Sequence, residues 1–208
     1  MEFVCPAKEA SAEIEAKRSR FIGTVAPVFT AEEAEAHVLA IRRKYPDATH
    51  NVYAYSVGTA TPLERLSDDG EPRGTAAYPI LEIIKKRGLR NTACVVTRYF
   101  GGTLLGAGGL LRAYGKAASA ALDAAGVARH VFHQVFSVVV DYDQYGRLQR
   151  EFEARGIRII DTSYSDKVTV KGFVTPEDVD ALAARIRDLS SGKARPVVLE
   201  GRYIPWTQ

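Results

Sequence analysis

Residues 93–125 read ACVVTRYFGGTLLGAGGLLRAYGKAASAALDAA, a β-branched run, then a glycine-rich connection, then an alanine-rich stretch. The run Ala93 to Thr97 suits a strand and the stretch Ala113 to Ala125 suits a helix, so the order is strand, bare backbone, helix. Between Arg98 and Gly115 six of eighteen residues are glycine. Glycine buries no side chain and costs about 0.5–1 kcal/mol in a regular element relative to alanine, so core packing alone does not account for them. Two readings follow. N–H groups at a helix N-terminus beside Arg98 and Arg112 make a receptor for phosphate or another anion. Alternatively, the glycines let the helix pack closely on the sheet. No Gly-Lys-Ser/Thr triplet closes a Walker loop, and the dinucleotide-binding context is missing.

Working outward, Thr30 caps a helix, AEEAEAHVLAIRRKY, with acidic residues in its first turn and basic ones in its last. Its apolar positions Ala34, Val38 and Ile41 recur at helical spacing, and Pro46 stops it. Residues 13–28 read as a strand or strand pair, His50 to Val57 as a strand, and the polar segment 59–74 as a loop. A helix is expected from Pro79 to Arg87 with Gly88 as its C-terminal cap. After this unit, which ends near Val127, the pattern restarts: a strand from Val135 to Tyr142, a helix over 144–155, strands over 157–164 and 167–174, a helix from Thr175, and a last strand over 195–203. That β-α-β-β-α-β order is the ferredoxin-like arrangement. The reading predicts an α+β chain with domains at 1–130 and 131–208, joined near 128–134.

The chain has 208 residues, 46% of them hydrophobic, and a formal charge of +3 with a pI near 8.8. The excess of positive charge is mild and points only weakly to anionic partners. Cys5 and Cys94 form neither a disulfide framework nor a zinc spacing, which fits a reducing cytoplasm and gives no reason to expect a cofactor. The N-terminus has no signal-peptide pattern, and no apolar run is long enough to span a bilayer, so no membrane partner is expected.

Three groups of residues carry possible chemistry. The loop Ser67 to Gly74 places Asp68, Asp69 and Glu71 close together, as a solvated turn does and as a Mg²⁺ site does. His50 is an acid–base candidate without a visible partner, and no nucleophile elbow accompanies it. The cations Lys17, Arg18, Arg20, Arg73, Arg98, Arg112 and Lys116, with backbone N–H groups from Gly101, Gly102, Gly106, Gly108 and Gly109, make a candidate phosphate-contacting face. Tyr99, Phe100 and Tyr114 are candidates for stacking on bases. The plainer reading is that the aromatics anchor the glycine-rich turn and the cations solvate an edge strand.

The segments KRSRFIG (17–23), LSDDGEPRGTAAYPIL (66–81) and VVTRYFGGTLLGAGGLLRAYG (95–115), in that order with His50 between the first two, closely resemble the IMPACT/YigZ family. The resemblance spans roughly the first 128 residues and departs at Ala77, where the family pattern favours glycine. It implies an N-terminal domain of the ribosomal-protein-type βαβ superfold, a ferredoxin-like C-terminal domain resembling the last domain of elongation factor G, and a link to translation. It brings no established catalytic residues. The partner-binding N-terminal domain of eukaryotic relatives has no counterpart before Lys17, so that interaction is not carried over. The same superfold includes small-molecule kinases, for which GAGGL is a superficial match.

The expectation is an RNA- or ribosome-associated regulator of translation that contacts phosphate through the glycine-arginine face, with catalytic activity left open. One alternative is a Mg²⁺-dependent enzyme acting on a phosphorylated small molecule, with Asp68, Asp69 and Glu71 holding the metal and His50 moving a proton. The other is a regulator that binds a protein partner and performs no chemistry.

Overall fold

The apolar run at 93–96 is continuous, not alternating, because both faces of its strand are covered. The structure, a computed structural model, describes residues 2–206, which divide into one unit of Phe3–Arg129 and another of Glu2 with the residues from His130 onward. In the first unit the elements are β1 (Glu2–Pro6), β2 (Ala10–Ala16), β3 (Ser19–Pro27), α1 (Ala31–Lys44), β4 (His50–Val57), β5 (Leu63–Ser67), α2 (Ala77–Lys86), β6 (Thr92–Tyr99) and α3 (Ala107–Ala125). Strands β2-β3-β6-β4-β5 form one sheet in that order, each neighbour antiparallel.

Alternation along β6 sets the layers. Cys94 and Val96 join Phe21, Val25, Val52 and Ala54 beneath α2 and α3. Ala93 and Val95 face the other way, toward Ala34, Val38 and Ile41 of α1. The α1 start is a reciprocal cap: Thr30 accepts from the Glu33 N–H at 3.1 Å, and the Glu33 carboxylate accepts from the Phe29 N–H at 2.6 Å. On the opposite face α3 lies so close to β3 that a Cβ on Gly23 would stand 2.5 Å from the Ala117 carbonyl oxygen.

Three local expectations are corrected. Residues 63–67 are not loop but the edge strand β5, paired with Tyr53 to Val57 of β4. Helix α2 begins at Ala77, not Pro79, because the Asp68 carboxylate accepts the N–H groups of Gly74, Ala76 and Ala77 at 2.8–3.1 Å. That long-range cap lies outside any local helix-start signal. It also accounts for Ala77, whose methyl is buried in the core beneath its capped N–H. Helix α3 begins at Ala107, well before Ala113, because Gly106 at φ +71° turns the chain into the first turn.

The second unit follows β7 (Val127–Val140), α4 (Tyr142–Ala154), β8 (Ile159–Tyr164), β9 (Val168–Val174), α5 (Val179–Leu189), β10 (Val197–Val198) and β11 (Arg202–Pro205). Here β9 lies between β7 and β8, while β10 and β11 both pair with β7, all antiparallel. The ferredoxin-like order is present, with the expected last strand divided in two. Residues 128–134, near which the two domains are expected to join, lie in the first part of β7, a strand that continues without interruption to Val140. Phe136, Val138, Leu148, Phe152, Val170 and Ile186 form its core. Glu151, held by Arg185 at 2.9 Å and Arg155 at 2.6 Å, has its carboxyl pKa drawn down to about 2. Among the described residues no helix is long and apolar enough to cross a membrane.

Gly23→Ala is expected to destabilise the protein by about 1–3 kcal/mol through overpacking against α3, read as a lower urea midpoint. Gly146→Ala, in α4 with nothing within 4 Å of its added methyl, is expected to raise stability by up to about 1 kcal/mol.

Candidate functional site

Register places Phe21, Arg98 and His50 side by side across β3, β6 and β4. Arg98 shares the parity of Cys94 and Val96, so its side chain enters the buried face beneath α3, where it is only 5% exposed. A charge there requires a partner. Glu71, itself 8% exposed, supplies it: Arg98 Nη1 donates to Glu71 Oε1 at 2.5 Å, and Tyr114 Oη donates to the same oxygen at 2.8 Å. Burial and the adjacent Glu71 carboxylate push the Tyr114 phenol well above its ordinary pKa, keeping it protonated as a donor. Arg98 Nη2 reaches Ser19 Oγ at 3.3 Å, and the guanidinium lies 5.4 Å from the ring centres of both Phe21 and Phe100.

The loop ahead of α2 is folded around this pair. Asp69, at φ +47°, accepts from the Asn51 N–H at 2.6 Å and from Arg42 at 2.7 Å through its carboxylate. The Asp69 carbonyl lies 2.7 Å from His50 Nδ1. A carbonyl can only accept, so Nδ1 carries a proton, and Nε2 lies 3.9 Å from Glu71 Oε1. Each carboxylate of the acidic loop therefore has its own partner: Asp68 caps a helix, Asp69 ties down β4 and α1, and Glu71 neutralises Arg98. They diverge, and no group of three or more metal-ligating side chains forms among the described residues. The Mg²⁺ arrangement considered for Asp68, Asp69 and Glu71 is not the arrangement they adopt.

Acidic and glycine-rich segments meet at one cleft of about 410 Å³. His50, Glu71 and Arg98 stand at its polar side, and Phe100, Leu104, Leu105 and Leu110 supply apolar wall. The glycines divide by role. A Cβ on Gly101 would overlap the Arg18 carbonyl, at the tip of the β2–β3 hairpin, and one on Gly109 would come within 2.9 Å of Leu105 Cβ. These two are bare for packing. Gly102 and Gly106 have positive φ and open space around them, and Gly108 lies in the first turn of α3, with Arg112 Nη1 3.6 Å from its would-be Cβ.

The candidate cations do not share one face. Arg20 lies on the α1 side of the sheet, 4.6 Å from the Tyr99 ring centre and 3.8 Å from Glu13. Arg98 is enclosed with Glu71. Arg112 and Lys116, one helical turn apart on α3, line a groove of about 240 Å³ with Lys17. Arg18 and Arg73 are exposed on the hairpin tip and the acidic loop. Tyr114 is fully buried, edge-on to Phe21 at 5.2 Å, and cannot stack on a base. Sequence reasoning missed its bond to Glu71, as well as the parts of Ser19 and Arg42.

Residues 17–122, just over half of the chain, match the Impact N-terminal domain. The chain belongs to the IMPACT family. Residues 138–193 match a domain of unknown function, DUF1949. IMPACT family member YvyE of Bacillus subtilis is 38% identical over 88% of this chain and 84% of its own length. IMPACT family member YigZ of Escherichia coli is 32% identical over 95% of this chain and 98% of its own. A crystal structure of a hypothetical protein superposes with a TM-score of 0.67 at 31% identity, covering 96% of this chain and 98% of that one. The stretch matching the IMPACT domain contains the whole of the His50–Glu71–Arg98–Tyr114 cluster and the groove cations Lys17, Arg112 and Lys116.

Removing one member of a buried ion pair leaves the other charge unpaired. Glu71→Ala is therefore expected to cost about 3–5 kcal/mol in urea unfolding. Glu71→Leu combined with Arg98→Met is expected to recover most of that loss. A Glu71→Ala protein within about 1 kcal/mol of wild type would contradict the assignment, because that is the range of an exposed pair.

Proposed function

We propose that this protein binds the phosphate backbone of RNA, in the context of translation, through an exposed cationic strip of Lys17, Arg18, Arg112 and Lys116. Arg73 adds a further exposed cation. The observation that carries this reading is the unspent charge of the strip: none of these residues forms an ion pair among the described residues, and three of them line one groove. Glu15 also lines the groove but leaves a cationic excess. Arg112 and Lys116 project from one face of α3 beside the edge strand β2, a geometry that follows a backbone rather than reading base edges. The translational context rests on the family resemblance. Arg98 is a positioning residue in this reading, since its charge is already matched by Glu71.

The test is fluorescence anisotropy with a single-stranded RNA oligomer over a salt series. Each lost phosphate contact is expected to flatten the log–log salt slope by about 0.7, so Arg112→Ala/Lys116→Ala is expected to flatten it by about 1.4 and to weaken binding at every salt concentration. Arg20→Ala, on the opposite side of the sheet, is expected to keep the wild-type slope. An unchanged slope in the double variant, or wild-type binding that does not depend on salt, would overturn the proposal.

A further inference from the structure

We propose that the cleft between His50 and the first turn of α3 is a binding site for a small amphipathic oxyanion, one carboxylate or phosphate group on a compact apolar body. It is distinct from the cationic strip, with Leu105 standing between them and lining both. A volume of about 410 Å³ is that of a small-molecule site, too confined for a stacked nucleic-acid strand. Its apolar wall is costly to leave in water: Leu104 is 81% exposed and Phe100 46%. An apolar body would cover both.

The polar end favours a negative head group. Gly106, at the N-cap of α3, has no side chain to cap with, and the first turn carries no acidic residue. Hydrogen bonding into Gly106 begins with the N–H groups of Gly109 and Leu110, leaving those of Ala107 and Gly108 without a partner among the described residues. Gly106 and Ala107 line the cleft, so the positive end of a 19-residue helix opens onto it. A second, independent feature points to a ligand. Arg98 lines the same cleft at 5% exposure, and its buried Nε–H has no acceptor. Glu71 and Ser19 hold the two Nη atoms and leave that donor unmatched. His50 stands at the polar side with its ring fixed by the Asp69 carbonyl. Because Arg98 offsets the Glu71 charge, what remains at the polar end is the attraction of the helix terminus and its open donors for an anion.

The test is a ¹H–¹⁵N NMR titration of the full chain with 1-naphthoate, 1-naphthyl phosphate and the neutral 1-naphthalenemethanol. Saturable shifts are expected at the amides of Ala107 and Gly108 with at least one of the two anions, and the anion that binds more tightly identifies the head group. The alcohol is expected to bind at least tenfold more weakly. Ala107→Glu places a carboxylate at an exposed first-turn position that the helix dipole favours, so the protein folds while anion binding is expected to fall at least tenfold. Absence of saturable shifts at Ala107 and Gly108 with both anions would overturn the proposal. So would equal binding of the alcohol, or undiminished anion binding by Ala107→Glu.

Discussion

A guanidinium placed on the buried face of a central strand has to be neutralised where it stands, and the Arg98–Glu71 pair is the constraint on which the site depends. To bring Glu71 to that point, the chain between β5 and α2 must pass over the sheet and be held there. Asp68 holds it to the start of α2, Asp69 holds it to β4 and α1, and Gly70 turns at φ +89° beside the His50 ring. Two of the three carboxylates, those of Asp68 and Asp69, thus carry the third, that of Glu71, into the core. Tyr114 closes it from above, which ties the orientation of α3 to the same oxygen.

Much of this was legible in the sequence, and what was not has a physical reason. The α1 cap and its apolar spacing are local signals, and they predict that helix to within one residue of its observed end. The parity of Arg98 with Cys94 and Val96 would have marked it as buried, because strand alternation leaves no other direction for its side chain. The start of α2 was not legible, since its cap comes from Asp68, which lies outside the helix and reaches it only once the loop is folded. Nor was the partner of His50, a backbone carbonyl of the kind every residue offers. The glycines were ambiguous for a similar reason: Gly101 is bare because the Arg18 carbonyl abuts it, a contact between segments more than eighty residues apart. In the second unit, β7 runs unbroken through the expected junction near 128–134, because pairing with β11 and β9 holds its residues from His130 to Val140 extended.

The same helix serves two surfaces. The side of α3 presents Arg112 and Lys116 to the groove along β2, and its first turn opens on the cleft beside Arg98. Charge is divided between them: exposed cations without partners on one side, a neutralised buried pair with one orphaned donor on the other. This division explains how two arginines flanking a single glycine-rich loop can have unrelated tasks.

The most direct test of that division is side-chain NMR of the arginine Nε–Hε groups during titration with RNA. The account predicts that the Arg112 resonance moves and saturates with added RNA while that of Arg98 stays in place. Movement of Arg98 at the same RNA concentrations, with Arg112 unaffected, would contradict it.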